Sequence, residues 1–272
     1  MSEDSSGVFE TTVSEGVLRV RREGARWLST GWAGGECRAD AADNVSVPEG
    51  FDRTDLDAYI AERRRAAGFE GSGPALLTGV ELRHARGARL GPVAAVATAG
   101  VSNPAALPTD PEDARADRSG ERAEQSCGPA DASADAAGPD GSETPEVGTV
   151  NVVVGTERSL ADGALANLLA VAVEAKTATL LAETGFPGTT SDAAVAACDP
   201  AGERVAFSGS ATEVGACARA CVREAVRASL DSRYGEGTGA TVPESVADAE
   251  YGVATDRRAA VFRPAERERD DA

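Results

Sequence analysis

The stretch GTVNVVVGTERSLADGALANLLAVAVEAKTATLLAE, residues 148–183, passes from a β pattern to a helical one within a dozen residues. Val150–Val154 is a β-branched run closed by Gly155, which predicts a strand buried on both faces. Ser159 and Asp162 have the spacing of a capping box in its acidic variant, opening an Ala/Leu-rich helix that runs to about Glu183. Downstream, Ala193–Ala197 predicts a short buried strand. Ser210 with Glu213 has capping-box spacing ahead of a second long helix, ending near Leu230. Strand, helix, strand, helix is therefore the plan of the C-terminal half.

Working back from this stretch, the N-terminal half reads mostly as strands. Val8–Val13 and Val17–Arg21 flank the turn-like Ser14-Glu15-Gly16 and predict a hairpin. Trp27–Ser29 runs into the turn GWAGG at 31–35. Leu56, Tyr59, Ile60 and Arg63 give residues 54–67 a helical period that stops at Gly68. Leu76–Arg83 and Val93–Val101 read as paired strands joined through Gly87–Pro92. The expected fold class is α+β: a mixed, largely antiparallel sheet with two long helices packed on one face.

Two segments fall outside this plan. Residues 108–147 contain no aromatic, Leu or Ile side chain, and their acidic residues outnumber the basic ones 11 to 3. Such a segment cannot bury enough apolar surface to offset its ordering entropy, so a disordered acidic insertion is expected. The rest of 1–232 is read as one domain, with 233–272 as an acidic, partly disordered tail whose residues 251–262 could dock as an extended arm.

Composition narrows the function. The chain has 272 residues, a formal charge of −18, and one Lys (Lys176) among its 27 basic residues. Acid excess with Lys almost absent reads as a halophilic, salt-adapted surface, because salt screens the self-repulsion. No basic tract offers phosphate neutralisation, so nucleic acid is excluded as a partner. No apolar run approaches the roughly 20 residues needed to cross a bilayer, and no secretory leader pattern opens the chain. A cytoplasmic protein acting on a small molecule is expected. The five cysteines form neither a disulfide framework nor, with a single histidine, a zinc set, and read as small buried side chains.

Four segments are poor core-fillers and supply the candidate site. In ATAGVSNP (97–104) a strand ends in small and polar residues, with Thr98, Gly100, Ser102 and Asn103 available to a ligand. In GTVNVVV (148–154), Asn151 inside a Val-rich strand is either a structural hydrogen-bonder or an oxyanion-type donor. In EAKTATL (174–180), Glu174 and Lys176 sit on an apolar helix and demand partners. A lone retained Lys in such a chain suggests that an ammonium is needed where a guanidinium will not do. In GTTSD (188–192), Gly188, Thr189, Ser191 and Asp192 make a turn able to hold an anion or polar group, though generic turn chemistry explains it equally well. His84 shares strand parity with Val80 and Leu82 and reads as structural. Trp32 and the GWAGG turn could stack on a flat ligand, while Trp27 is assigned to the core.

In this order the four segments resemble the adenosylcobinamide amidohydrolase (CbiZ) family, with weaker likeness at GWAGG (31–35) and FSGSATEVG (207–215). The resemblance spans about residues 8–230 and departs from the family pattern in the directly adjacent Thr189-Thr190 and in the long insertion after Asn103. It implies hydrolysis of the amide linking the aminopropanol arm to the corrin ring of adenosylcobinamide, giving adenosylcobyric acid for coenzyme B12 salvage. It implies a corrinoid substrate; no cofactor is expected, and the chain has no His-bearing metal spacing, which leaves a carboxylate-bound metal as an alternative to a metal-free site. Two schemes are open. Ser102 or a Thr hydroxyl is the nucleophile with Lys176 as base, or Asp192 or Glu174 activates water while Lys176 polarises the carbonyl. In either, Asn103 and Asn151 would be amide donors to substrate or oxyanion. The competing functions are a non-catalytic corrinoid binder and a different small-molecule amide hydrolase.

Overall fold

The computed structural model describes residues 8–113 and 148–264. Most of the predicted acidic insertion, from residue 114 on, lies outside the described residues, as does the end of the tail. The elements are β1 (Glu10–Ser14), β2 (Val17–Ser29), β3 (Gly35–Ser46), α1 (Leu56–Ala66), β4 (Ala75–Thr78), β5 (Arg86–Leu90), β6 (Val93–Ala99) and β7 (Ala105–Ala106). Beyond the insertion come β8 (Val150–Thr156), β9 (Ser159–Leu160), α2 (Asp162–Thr184), β10 (Ala193–Cys198), β11 (Arg204–Val205), α3 (Glu213–Tyr234) and β12 (Val253–Ala254).

The main sheet has the order β4-β3-β2-β10-β8-β6-β5, with β1 paired to the first half of β2. Only β3–β4 and β8–β10 are parallel; the other pairs are antiparallel. The expected mixed, largely antiparallel sheet is what forms. The β1–β2 hairpin turns on Glu15 and Gly16, both at positive φ, and β2 then bends at an irregularity between Arg21 and Ala25. Past that bend β2 has a new neighbour: Arg26–Ser29 pair with β10, from the far half of the chain.

Both long helices lie on one face. Leu165, Leu168, Ala172 and Leu180 of α2 and Ala218, Val222, Ala225 and Val226 of α3 join Ala95, Val152, Val154 and Ala196 of the sheet in one core. Small strand residues let the helices sit close. Helix α2 is long and apolar enough to cross a membrane by length and composition, contrary to the expectation that no segment would be, but half of that window is buried within the fold. On the other face the sheet curls. Leu18, Val20, Trp27 and Leu76 meet Val96, Val153 and Val195 in a second core. Asn44 donates to Thr98 Oγ1 (2.9 Å) across the curl, and Asn151 donates to Asn44 Oδ1 (3.0 Å) and Leu77 O (2.8 Å). The β3–β4 end is thereby brought back over β6 and β8.

Several local expectations need correction. Leu76–Arg83 does not pair with β6: its first part is β4 at the opposite end of the sheet, and Leu82–His84 is a 3-10 turn. The partner of β6 is β5, so strand parity does not apply to His84. Helix α2 starts after Ala161 with no side-chain cap, because Ser159 belongs to β9. Helix α3 is capped by Thr212, which accepts from Gly215 N (3.1 Å), rather than by Ser210. It also runs on to Tyr234, past the expected start of the tail.

Candidate active site

A pocket of about 650 Å3 opens at the mouth of the curl, where β8 and β10 begin and β4 ends. Thr149, Ser191 and Asp192 line its base. Thr30–Trp32 after β2, Val47–Phe51 after β3, Leu77–Gly79 at the end of β4, and Glu250 with Tyr251 from the C-terminal arm form its walls.

A charged pair joins two of the motifs: Asp192 lines the pocket, and its partner Lys176 is outside the lining. Lys176 Nζ donates to Asp192 Oδ2 at 2.5 Å, and the two side chains are 7% and 12% exposed. Lys176 reaches out from the buried face of α2, while Asp192 leads into β10. Asp192 accepts three further hydrogen bonds: Val150 N to Oδ1 (2.8 Å), Thr189 N to Oδ2 (3.1 Å), and the Thr189 hydroxyl to Oδ1. Four donors thus fix the carboxylate in one orientation and satisfy the buried charge. Gly188 is needed for this arrangement, since a Cβ there would lie 2.7 Å from Asp192 Oδ2. Beside the carboxylate, the hydroxyls of Thr149 and Ser191 are 2.8 Å apart.

The first motif is tied to the turn through backbone contacts. Thr190 N donates to Asn103 O (3.1 Å) and Ala105 N to Gly188 O (2.9 Å). Ser102 packs where the chain crosses Gly148, whose Cβ would be 2.3 Å from Ser102 N; it is not on the pocket wall. Gly100 admits Val80 and Arg233, not a ligand: a Cβ there would meet Val80 Cγ2 at 2.7 Å. Thr98 and Asn151 are fully buried below the pocket in the network that holds the curl. Both amide protons of Asn151 go to protein acceptors and its Oδ1 accepts from Ala193 N (3.2 Å), so the amide is structural rather than an oxyanion donor. Glu174, expected beside Lys176 in the site, is exposed on the other side of α2 and pairs with Arg219 of α3 at 3.3 Å. A separation of two residues puts side chains on different faces of a helix.

His84 is outside the pocket lining, with Nδ1 3.0 Å from Ser232 Oγ. Burial, then Arg83 and Arg233, hold its pKa below the ordinary value. Burial also pushes the Cys221 thiol up to about 11, which leaves it a small apolar side chain on α3.

Sequence reasoning did not select Thr149, although it lies within a quoted motif, nor Phe51, Glu250 and Tyr251. Thr149 carries no signal apart from its place before the Val run.

Comparison of the sequence with known proteins gives a family and two named relatives. The family model for adenosylcobinamide amidohydrolase matches residues 3–238. The chain belongs to the adenosylcobinamide amidohydrolase family. A relative from Halobacterium salinarum named adenosylcobinamide amidohydrolase is 53% identical over 259 residues, covering 94% of this chain and all of that protein. Another of the same name, from Methanosarcina mazei, is 28% identical over 217 residues, 76% of this chain and 90% of its own. Lys176, Asp192, Thr149, Ser191 and Trp32 fall inside the stretch matched by the family model; Glu250 and Tyr251 lie beyond it.

Proposed function

We propose that this protein hydrolyses adenosylcobinamide at the amide joining its aminopropanol arm to the corrin ring, releasing aminopropanol and adenosylcobyric acid. Family membership supports the substrate and the reaction, and Asp192 on the pocket lining, held from outside it by the buried Lys176, carries the chemical reading. Amide hydrolysis adds water across the C–N bond. The acyl carbon takes the hydroxyl, the nitrogen takes the proton, and the amine departs.

Attack by water suits this pocket better than attack by Ser102, which is not on its wall. In our reading the incoming water replaces the Thr189 hydroxyl on Asp192 Oδ1 and gives its proton to that carboxylate, and the hydroxyl proton left over from the Thr149–Ser191 bond goes to the developing oxyanion. Lys176 holds the carboxylate in place and, as an ammonium able to release a proton, links it to the leaving amine. The free thiols of Cys37, Cys198, Cys217 and Cys221 support a reducing cytoplasmic setting.

The test is incubation of purified protein with adenosylcobinamide in molar KCl, followed by mass spectrometry. Appearance of adenosylcobyric acid with equimolar aminopropanol is expected. A protein that binds the corrinoid and leaves it intact would be a carrier instead.

A further inference from the structure

The walls of the pocket gather aromatic side chains. The chain has only 11 aromatic residues (six Phe, three Tyr and two Trp). Three of them, Trp32, Phe51 and Tyr251, line this one pocket. Trp32 and Tyr251 are 46% and 57% exposed; Phe207 and Phe262 are more exposed, and what sets the pocket apart is that its rings are gathered on one lining. Trp32 is held in place, its indole N–H donating to Asp57 Oδ1 of α1 at 2.8 Å.

Tyr251 is held as well, by the segment around it. A capped 3-10 turn, with Ser245 N and Oγ both donating to Asp248 Oδ2, precedes it and buries Val246 in the main core. After it, β12 pairs in parallel with β7, Val253 N donates to Pro104 O (2.9 Å), Thr255 N donates to Ala106 O (3.1 Å), and Ala254 is buried. Gly252 makes the tight bend between the two anchors: a Cβ there would meet Val246 O at 2.5 Å. The arm is thus pinned on both sides of an exposed tyrosine, and it docks on the strand that follows the Asn103–Pro104 segment of the site.

We propose that this arm is a substrate-gripping wall, with Tyr251 on it and Trp32 elsewhere on the same lining packing against the periphery of the corrin macrocycle, clear of the axial ligands. The inference rests on the corrinoid reading above and assigns a specificity role to a residue outside the family-model match. Rigid rings with a polar tip suit a flat, largely apolar ligand fringed with amides. The wall acts in binding, not in the chemical step.

The test compares the full-length protein with Tyr251→Ala, Tyr251→Phe and Val253→Pro, the last removing the N–H that ties the arm to Pro104. For each, kcat and KM for adenosylcobinamide are measured, together with the Kd of cobinamide lacking the adenosyl group, read from the corrinoid absorbance. Tyr251→Ala should raise KM and the cobinamide Kd together by about 10-fold with kcat within about twofold, and Val253→Pro should do the same. Tyr251→Phe should restore most of the loss. Unchanged KM and Kd in Tyr251→Ala, beside an active wild type, would overturn the arm's role while leaving the proposed reaction intact. A loss confined to the adenosylated substrate would overturn the macrocycle assignment. A wild type that binds cobinamide without cleaving adenosylcobinamide would defeat only the proposed reaction, the Kd series still deciding the arm. A wild type that does neither would overturn both.

Discussion

Lys176 and Glu174 are two residues apart, and the fold sends them to opposite fates. Lys176 is buried against Asp192, whereas Glu174 meets Arg219 in solvent. Exposed pairs of the second kind contribute about 0–1 kcal/mol, so Glu174→Gln should leave turnover and stability near wild type. Lys176→Arg keeps the charge but removes the transferable proton and adds bulk. The folded variant should lose at least about 100-fold in kcat, in line with the loss of an acid–base group, which stopped-assay product counting would measure. A folded Lys176→Arg protein with near-normal turnover would reduce the pair to scaffolding. Lys176 and Asp192 could be selected from the sequence because an ammonium on an apolar helix and a carboxylate in a polar turn are both costly without a purpose. Their pairing could not be read, since it depends on how the turn folds back between α2 and β10. Asn151 shows the opposite case. A polar residue in a Val-rich strand was visible, yet only the curl, through Asn44 and Leu77, shows that its amide is fully occupied.

Among the elements, β8, α2, β10 and α3 were legible because long apolar runs and a 3.6-residue period survive any tertiary arrangement. The strand β3 was not, because GECRADAADNVS has neither β-branched enrichment nor clean alternation. Its stability comes from its neighbours β2 and β4. Caps were misplaced by two residues since several Ser, Thr and Asp residues compete ahead of each helix. Thr212 is the residue that caps α3, so Thr212→Ala should cost about 1 kcal/mol, and Ser210→Ala should cost much less in the same chemical denaturation series. A second element-level device joins the N-terminus to the sheet. Phe9 stacks near Trp27 (ring centroids 5.8 Å apart), and it fits only because residue 155 is Gly: a Cβ there would lie 1.9 Å from Phe9 Cζ. Gly155→Ala should therefore displace Phe9 and destabilise by about 2–3 kcal/mol, roughly what burying a Phe contributes. Combined with Phe9→Ala, it should add little, because both changes remove the same contact.

For the molecule as a whole, the formal charge of −18 is the dominant long-range term. The Debye length is about 3 Å in 1 M salt and about 30 Å at 0.01 M, so dilution exposes the acidic surface to its own repulsion. The midpoint of thermal unfolding, followed by circular dichroism, should fall steadily from molar KCl to dilute buffer; an unchanged midpoint would remove the halophilic reading. The sheet order has a separate consequence for how the chain is made. Arg26–Ser29 find their β10 partner about 170 residues later, so on a ribosome adding about 5–20 residues per second this half of β2 emerges with one backbone edge open for about 8–34 s. A nascent chain in that state offers its neighbours on a polysome a template for pairing, and any pause or truncation before β10 lengthens the exposure. The acidic charge that burdens the finished protein in dilute buffer would then be of service earlier, keeping half-made copies apart until the strand that closes the sheet has been synthesised.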